Sequence, residues 1–269
     1  SFGARPPSGQ RRTPEAPTLV ARDGQSLPDA WREAGLNPDL MGPDDVLLEA
    51  SCFVELHVEQ GRRRAEVGHP GAIATAVRPQ GRWCAEFTGQ GNHAGTTLIP
   101  DRHDPVVPMA QTVMTAREAA EREGCVTTVG RINVEPGGTN VIASAATMWL
   151  DCRAEESQTV TKVVEDIQQA SETATDKQGC QVVWTRESWT DRTAFDLRAR
   201  MLQILGKDIP QLSTGAGHDA ATLATTMPTG MLFVRNPTGA SHCPDESVSD
   251  ADCEAGAEAL QAVLEELVK

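Results

Sequence analysis

The stretch Cys52-Phe53-Val54-Glu55-Leu56-His57-Val58-Glu59-Gln60-Gly61 constrains the fold more than any other part of the chain. Val54, Leu56 and Val58 alternate with Glu55, His57 and Glu59, a period of two that predicts a β-strand with one buried face. Gly61 ends the strand at a position free to turn. The other face concentrates two carboxylates and an imidazole. Two readings stand open: an ordinary solvated sheet face, or a metal-ligating histidine on a rigid strand with flanking carboxylates to orient it.

A chain of 269 residues is long enough for one large domain or two ordinary ones. Lys plus Arg number 24 and Asp plus Glu 38, a net charge of −14. So acidic a surface argues against nucleic acid and anionic membrane as partners, since both carry the same sign. The seven cysteines are scattered without a repeated spacing, which suits neither a disulfide framework nor a zinc ribbon. Reduced thiols in a cytoplasm fit them best. No apolar run approaches the ~18 residues a membrane span needs, and Ser1-Phe2-Gly3-Ala4-Arg5-Pro6-Pro7 has no signal-peptide core. The chain lacks an initiator Met and is expected to be a piece of a longer protein.

Residues 1–25 and 36–49, rich in Pro and Gly, read as loop. Ser26 is expected to cap a short helix through Trp31, with Asp29 in the capping-box position and Gly35 as the stop. Strands are expected at 68–77 (after a turn) and 82–88, then a loop, Gly89 to Thr97. An amphipathic helix over 106–123 is expected to use Val107, Ala110, Met114 and Ala120, and to end at Gly124. Strands over 126–134, 145–153 and 181–184 and a helix over 161–173 follow. Together these predict an α+β sandwich module. Beyond it, a helix over 194–205, a buried strand over 231–234 and a final helix capped by Ser249 and burying Leu260, Val263, Leu264 and Leu267 restore α/β character.

His93, His218 and His242 all sit in Gly-rich loops beside strands or helices. His242 lies soon after a buried strand, where α/β proteins place ligands and metals; a structural histidine in a tight loop is the other reading. Cys243 has no second cysteine at ligand spacing. In Ser213-Thr214-Gly215-Ala216-Gly217-His218-Asp219, free backbone N–H groups at a helix start suit a carboxylate or other anion, or form an ordinary flexible turn. Arg153, on one strand face with Asp151, can clamp a carboxylate with its fork or form a surface salt bridge. Asn140 is either a turn residue or a hydrogen-bonding group for a ligand.

ELHVEQG, GNHAGTT followed by RHD, GGTNVIA, LDCR, STGAGHDA and GASHCPDES occur in that order. The set resembles the hydantoinase/carbamoylase family of dinuclear metal amidohydrolases, relatives of the aminoacylase-type metallopeptidases. The family includes N-carbamoyl-L-amino-acid hydrolases, allantoate amidohydrolases and yeast-type β-ureidopropionase. The resemblance runs from residue 50 to the C-terminus. It implies an α/β fold: an aminopeptidase-like catalytic domain, here incomplete (1–77 and 188–269), with an inserted α+β sandwich lid and dimerisation domain (78–187). It implies His57 and His242 as ligands to different ions of a divalent pair (zinc or manganese, with cobalt or nickel also suitable). Gln60 and Gly215 would contact substrate, and His93 would bind substrate and stabilise its oxyanion. Asn140 and Arg153 would hold the substrate carboxylate. The lid would form a homodimer and complete the neighbouring subunit's site.

The family's His-x-Asp motif and Glu-Glu pair find no match upstream of residue 50, so the chain alone is expected to be inactive and to bind metal poorly. Smaller departures are Leu98-Ile99, Ala143 and Thr214. The activity implied is hydrolysis of a linear amide or ureido bond in N-carbamoyl-L-amino acids or allantoate-like acids. The alternatives are aminoacylase or dipeptidase chemistry, or a non-catalytic remnant that serves as a dimerisation partner.

Overall fold

A computed structural model describes residues 18–21, 24–41, 49–61 and 68–269; the rest of the loops expected at 1–25 and 36–49 lies outside these. The chain divides into two compact units, residues 1–77 with 193–269, and residues 78–192. Helix α1 (Leu27–Glu33) is capped by Ser26, whose hydroxyl accepts from the Asp29 N–H, and Gly35 follows in the left-handed region.

The first unit is built on a mixed sheet of β1 (Phe53–Val58), β2 (Gly71–Val77), β10 (Gln211–Thr214) and β11 (Thr229–Val234), in the order β1-β11-β2-β10. β1 runs parallel to β11 in unbroken register, from Phe53 against Thr229 to Val58 against Val234. All of β11 is buried, as expected of a central strand covered on both faces. On one face Ile73, Leu232 and the Val54 and Leu56 side chains pack with Met201 and Val263, from α4 (Arg198–Leu205) and α6 (Asp250–Leu267). On the other, Phe53, Met231 and Phe233 pack with Ala220 of α5 (Asp219–Leu223). The polar face of β1 is therefore the second covered face of the sheet rather than a solvated one.

Two expectations for this unit are corrected. Residues 193–194 form a short strand, β9, that pairs with the end of β2, and α4 begins only at Arg198. Leu264 of α6 is 43% exposed, while Val263 is fully buried.

The second unit is an antiparallel sheet in the order β5-β7-β3-β8, formed by β3 (Gln80–Thr88), β5 (Val126–Glu135), β7 (Ala145–Arg153) and β8 (Gln181–Thr190). Helices α2 (Val106–Glu123) and α3 (Ser157–Gln178) supply the rest of its core. Trp83, Ala85 and Phe87 alternate inward from β3, and Ala146, Met148, Leu150 and Cys152 from β7. Each large side chain so buried is worth about 1.5–3 kcal/mol.

Both α3 and β8 are longer than the sequence pattern suggests. β8 pairs with β3 along nearly its whole length, although its second half lacks an apolar alternation. On α2 the buried face is Met109, Thr112, Ala116, Ala119 and Ala120. Val107, Ala110 and Met114, expected inside, are exposed, Met114 at 60%.

Candidate metal centre and substrate-binding residues

The polar face of β1 meets the start of α5. Glu55 Oε2 accepts a 2.7 Å hydrogen bond from the Ala220 N–H, one of the first-turn donors a helix cannot satisfy internally. His218, just ahead of α5 and buried, sets its Nδ1 3.4 Å from Glu55 Oε1 and its Nε2 3.2 Å from Thr214 Oγ1. Its ring stands edge-on to His57, centroids 4.7 Å apart, and to Phe233 at 5.9 Å. Burial pushes the Glu55 carboxyl up, but the bonds from His218 and Ala220 and the two nearby imidazoles outweigh it. They hold Glu55 below the ordinary carboxylate range.

Glu55, His57 and His218 bring three metal-capable atoms within 4.8 Å of one another. Their hydrogen bonds divide the roles. His57 Nδ1 lies 2.7 Å from the Val58 carbonyl, which can only accept, so Nδ1 carries the proton and Nε2 the lone pair. That is the usual preparation of a histidine ligand, whose second nitrogen donates to a carbonyl or carboxylate. The ionised Glu55 and His218 face one another, and the remaining atoms of both are engaged by Ala220 and Thr214. The three together could hold a divalent ion, and His57 Nε2 is the atom that none of these hydrogen bonds engages.

The carboxylate at the start of α5 is the chain's own Glu55, and the backbone donor is Ala220 of the helix, one residue past the Gly-rich stretch. His218 stood in the sequence only as a loop histidine. The signal that could have found its role is Glu55, a carboxylate on a covered sheet face that requires a buried partner. Glu59 is buried beyond the end of β1, outside this group. Gln60 follows it, half-buried, and Gly215 ahead of His218 is also half-buried, with nothing within 4 Å of where a Cβ would stand. His242 is exposed in the loop after β11 and is not among the three clustered donors.

In the second unit, β4 (Asn92–His93) pairs antiparallel with β6 (Val141–Ile142), and the Ala94 N–H donates to the Asn140 carbonyl at 3.0 Å. This brings His93 and Asn140 together. The Gly95 N–H donates to His93 Nδ1 at 3.0 Å, so in the neutral ring Nε2 carries the proton. A Cβ at Gly95 would stand 3.2 Å from His93 Cε1, which favours glycine there. Arg102 secures the loop, donating to the carbonyls of Ala94 at 2.6 Å and Thr97 at 3.1 Å.

Arg153 stands elsewhere. The pairing of Thr88 with Ala145 ends the β3–β7 ladder on the side that leads to His93, while Arg153 pairs with Gln80 at the other end. Its guanidinium makes two bonds to Asp151, Nε to Oδ1 at 2.6 Å and Nη2 to Oδ2 at 3.0 Å, and Arg82 Nε adds a third at 3.2 Å. Burial raises the Asp151 carboxyl, yet Arg153 and Arg82 hold it below the ordinary range. The fork is already set for a carboxylate, and a substrate would have to take the place of Asp151.

The first unit is an α/β fold that gathers Glu55, His57 and His218, a group that could hold a metal ion, on a covered sheet face, and a model of peptidase family M20/M25/M40 matches residues 35–266. The chain belongs to that family. The N-carbamoyl-L-amino acid amidohydrolase of Geobacillus stearothermophilus is 34% identical over 266 residues, covering 95% of this chain and 64% of that protein. The allantoate amidohydrolase of Escherichia coli K12 is 27% identical over 256 residues, covering 91% and 61%. An amidase of the hydantoinase/carbamoylase family from Burkholderia vietnamiensis has the same fold, with a TM-score of 0.84 and 24% identity over 98% of this chain and 65% of that one. The chain thus spans less than two thirds of the length of these relatives. Among the described residues no helix is long and apolar enough to cross a membrane.

Proposed function

We propose that the chain, together with a segment that supplies the family's His-x-Asp and Glu-Glu ligands, hydrolyses a linear ureido or amide C–N bond in an N-carbamoyl-L-amino acid or an allantoate-like ureido acid, and that alone it is inactive. The observation that carries this reading is the state of His57. Its Nδ1 proton is committed to Val58, and its Nε2 is left as a ligand atom on a rigid strand. The kinship with N-carbamoyl-L-amino acid and allantoate amidohydrolases supports the substrate class. His57 and His242 each hold one of two divalent ions. Zinc, manganese, cobalt and nickel all suit such donors. Ions bound there supply an acidified water and a polarised carbonyl.

The other roles fall to the chain's own side chains. Gln60 and Gly215 contact the substrate near His57. His93 donates its Nε2 proton to the developing oxyanion, a contact strongest in the transition state. Asn140 and Arg153 bind the substrate carboxylate. The length of β7 separates these last two, so a single lid cannot offer both to one small acid. This supports a C2 homodimer in which one copy supplies Arg153 and the other His93 and Asn140. The exposed stripe of Val107, Ala110 and Met114 on α2 is suited to a second copy. Seven free thiols suit a reducing cytoplasm.

The test is release of ammonia from N-carbamoyl amino acids, ureidopropionate and allantoate, with N-acetyl amino acids alongside, by the chain joined to that segment and loaded with zinc or manganese. Turnover of a ureido acid, lost in His57→Ala, is expected. Hydrolysis of the acetyl substrates alone would assign aminoacylase chemistry, and no turnover of any would leave a non-catalytic dimerisation partner.

A further inference from the structure

The loop that presents His242 depends on one buried amide. From Pro237 to Asp250 no residue is buried, so packing cannot set its shape and hydrogen bonds must. Asn236, 0% exposed at the start of this loop, supplies them. Its Oδ1 accepts from the N–H groups of Thr238 and Gly239, each at 3.1 Å, and from the Thr238 hydroxyl at 2.8 Å. Its Nδ2 donates to the Ala240 carbonyl at 2.7 Å. The Thr238 hydroxyl also accepts from the Ala240 N–H at 3.1 Å and lies 3.1 Å from the Asp245 carbonyl on the other arm of the loop.

Beyond this turn, His242 has φ 58°, the one non-glycine residue in the left-handed region among those described. A residue with a β-carbon stays there only where its surroundings over-determine it. Its N–H donates to Glu246 Oε2 at 2.8 Å, and the turn anchored on Asn236 fixes the preceding residues. Strain of this kind is retained where a side chain must be aimed.

We propose that Asn236 is a positioning residue for His242: its buried amide shapes residues 238–240 so that His242 is held left-handed and its imidazole is presented to a divalent ion. The ligand role of His242 rests on the function proposed above. The conformational role does not.

The test uses the full chain with ¹³C-labelled histidine, His242 being assigned by its loss in His242→Ala. Asn236→Leu, of similar volume, removes all four bonds; Asn236→Asp keeps the acceptor. Circular dichroism checks folding, and Asn236→Ser replaces the Leu variant should that not fold. The His242 Cα resonance is expected to move in Asn236→Leu and much less in Asn236→Asp. Zinc affinity, read by titration at the His242 ring carbons, should fall about 10–100-fold in Asn236→Leu, the range for a group that orients a ligand. An unmoved Cα resonance in a folded Asn236→Leu protein overturns the inference, as does a moved resonance with unchanged zinc affinity. Ring carbons of His242 that do not respond to zinc in the wild type, with the Cα shift of Asn236→Leu still present, overturn the ligand role of His242 and leave the conformational role standing.

Discussion

Two inactive variants should restore each other. His93 and Asn140 lie past the Ala145 end of β7 and Arg153 at its other end. The eight residue steps from Ala145 to Arg153 span about 26 Å at ~3.3 Å per step, several times the reach of a small ureido acid. If both ends serve one substrate, they belong to different lids of a dimer. His93→Ala and Arg153→Ala homodimers should then each be nearly dead. In a heterodimer of the two, one site collects both defects and the other collects none. Purified heterodimer, isolated through two different tags, should show about half the wild-type rate, and a random mixture about a quarter. The assay is ammonia release from a ureido substrate, each copy being joined to a segment that supplies the family's His-x-Asp and Glu-Glu ligands. A heterodimer no more active than its parents would refute the two-lid reasoning, because each site would then carry one defect.

Glu55→Ala leaves the buried Ala220 N–H and His218 Nδ1 without an acceptor. Urea unfolding should show a loss of about 2–4 kcal/mol, and Glu55→Gln, which keeps an oxygen for Ala220, a smaller one. Glu55 is held below its ordinary value of 4.5 in the folded state, so its contribution is present above that pH and is lost as pH falls through the folded value. The gap between wild type and Glu55→Gln should narrow below pH 4.5, and a gap constant down to pH 3 would contradict the charged role of Glu55. His93→Ala should lower kcat about 100-fold or more with little change in KM, whereas Arg153→Lys should chiefly raise KM, about tenfold or more, because an ammonium cannot reproduce two parallel bonds. Steady-state kinetics of the chain joined to the same segment, showing the reverse, would exchange the two roles.

Local features were legible in the sequence because they depend on neighbours a few residues away. Ser26 and Ser249 cap their helices, α2 runs from Val106 to Glu123, and the alternation of β7 puts Met148, Leu150 and Cys152 inward. The same alternation on β1 set Glu55 and His57 on one face. Periodicity does not say what covers a face. On α2 it could not choose between Val107–Ala110–Met114 and the stripe that the sheet in fact buries. The later half of β8 and the short β9 form because partners distant in sequence, β3 and β2, complete their hydrogen bonds. The site divides in the same way. That His57 stands among carboxylates is a property of adjacent residues. That His218 comes to lie against it, that Glu55 closes the first turn of α5, and that Arg153 and His93 mark opposite ends of one lid follow from strand order and register, through which distant residues meet.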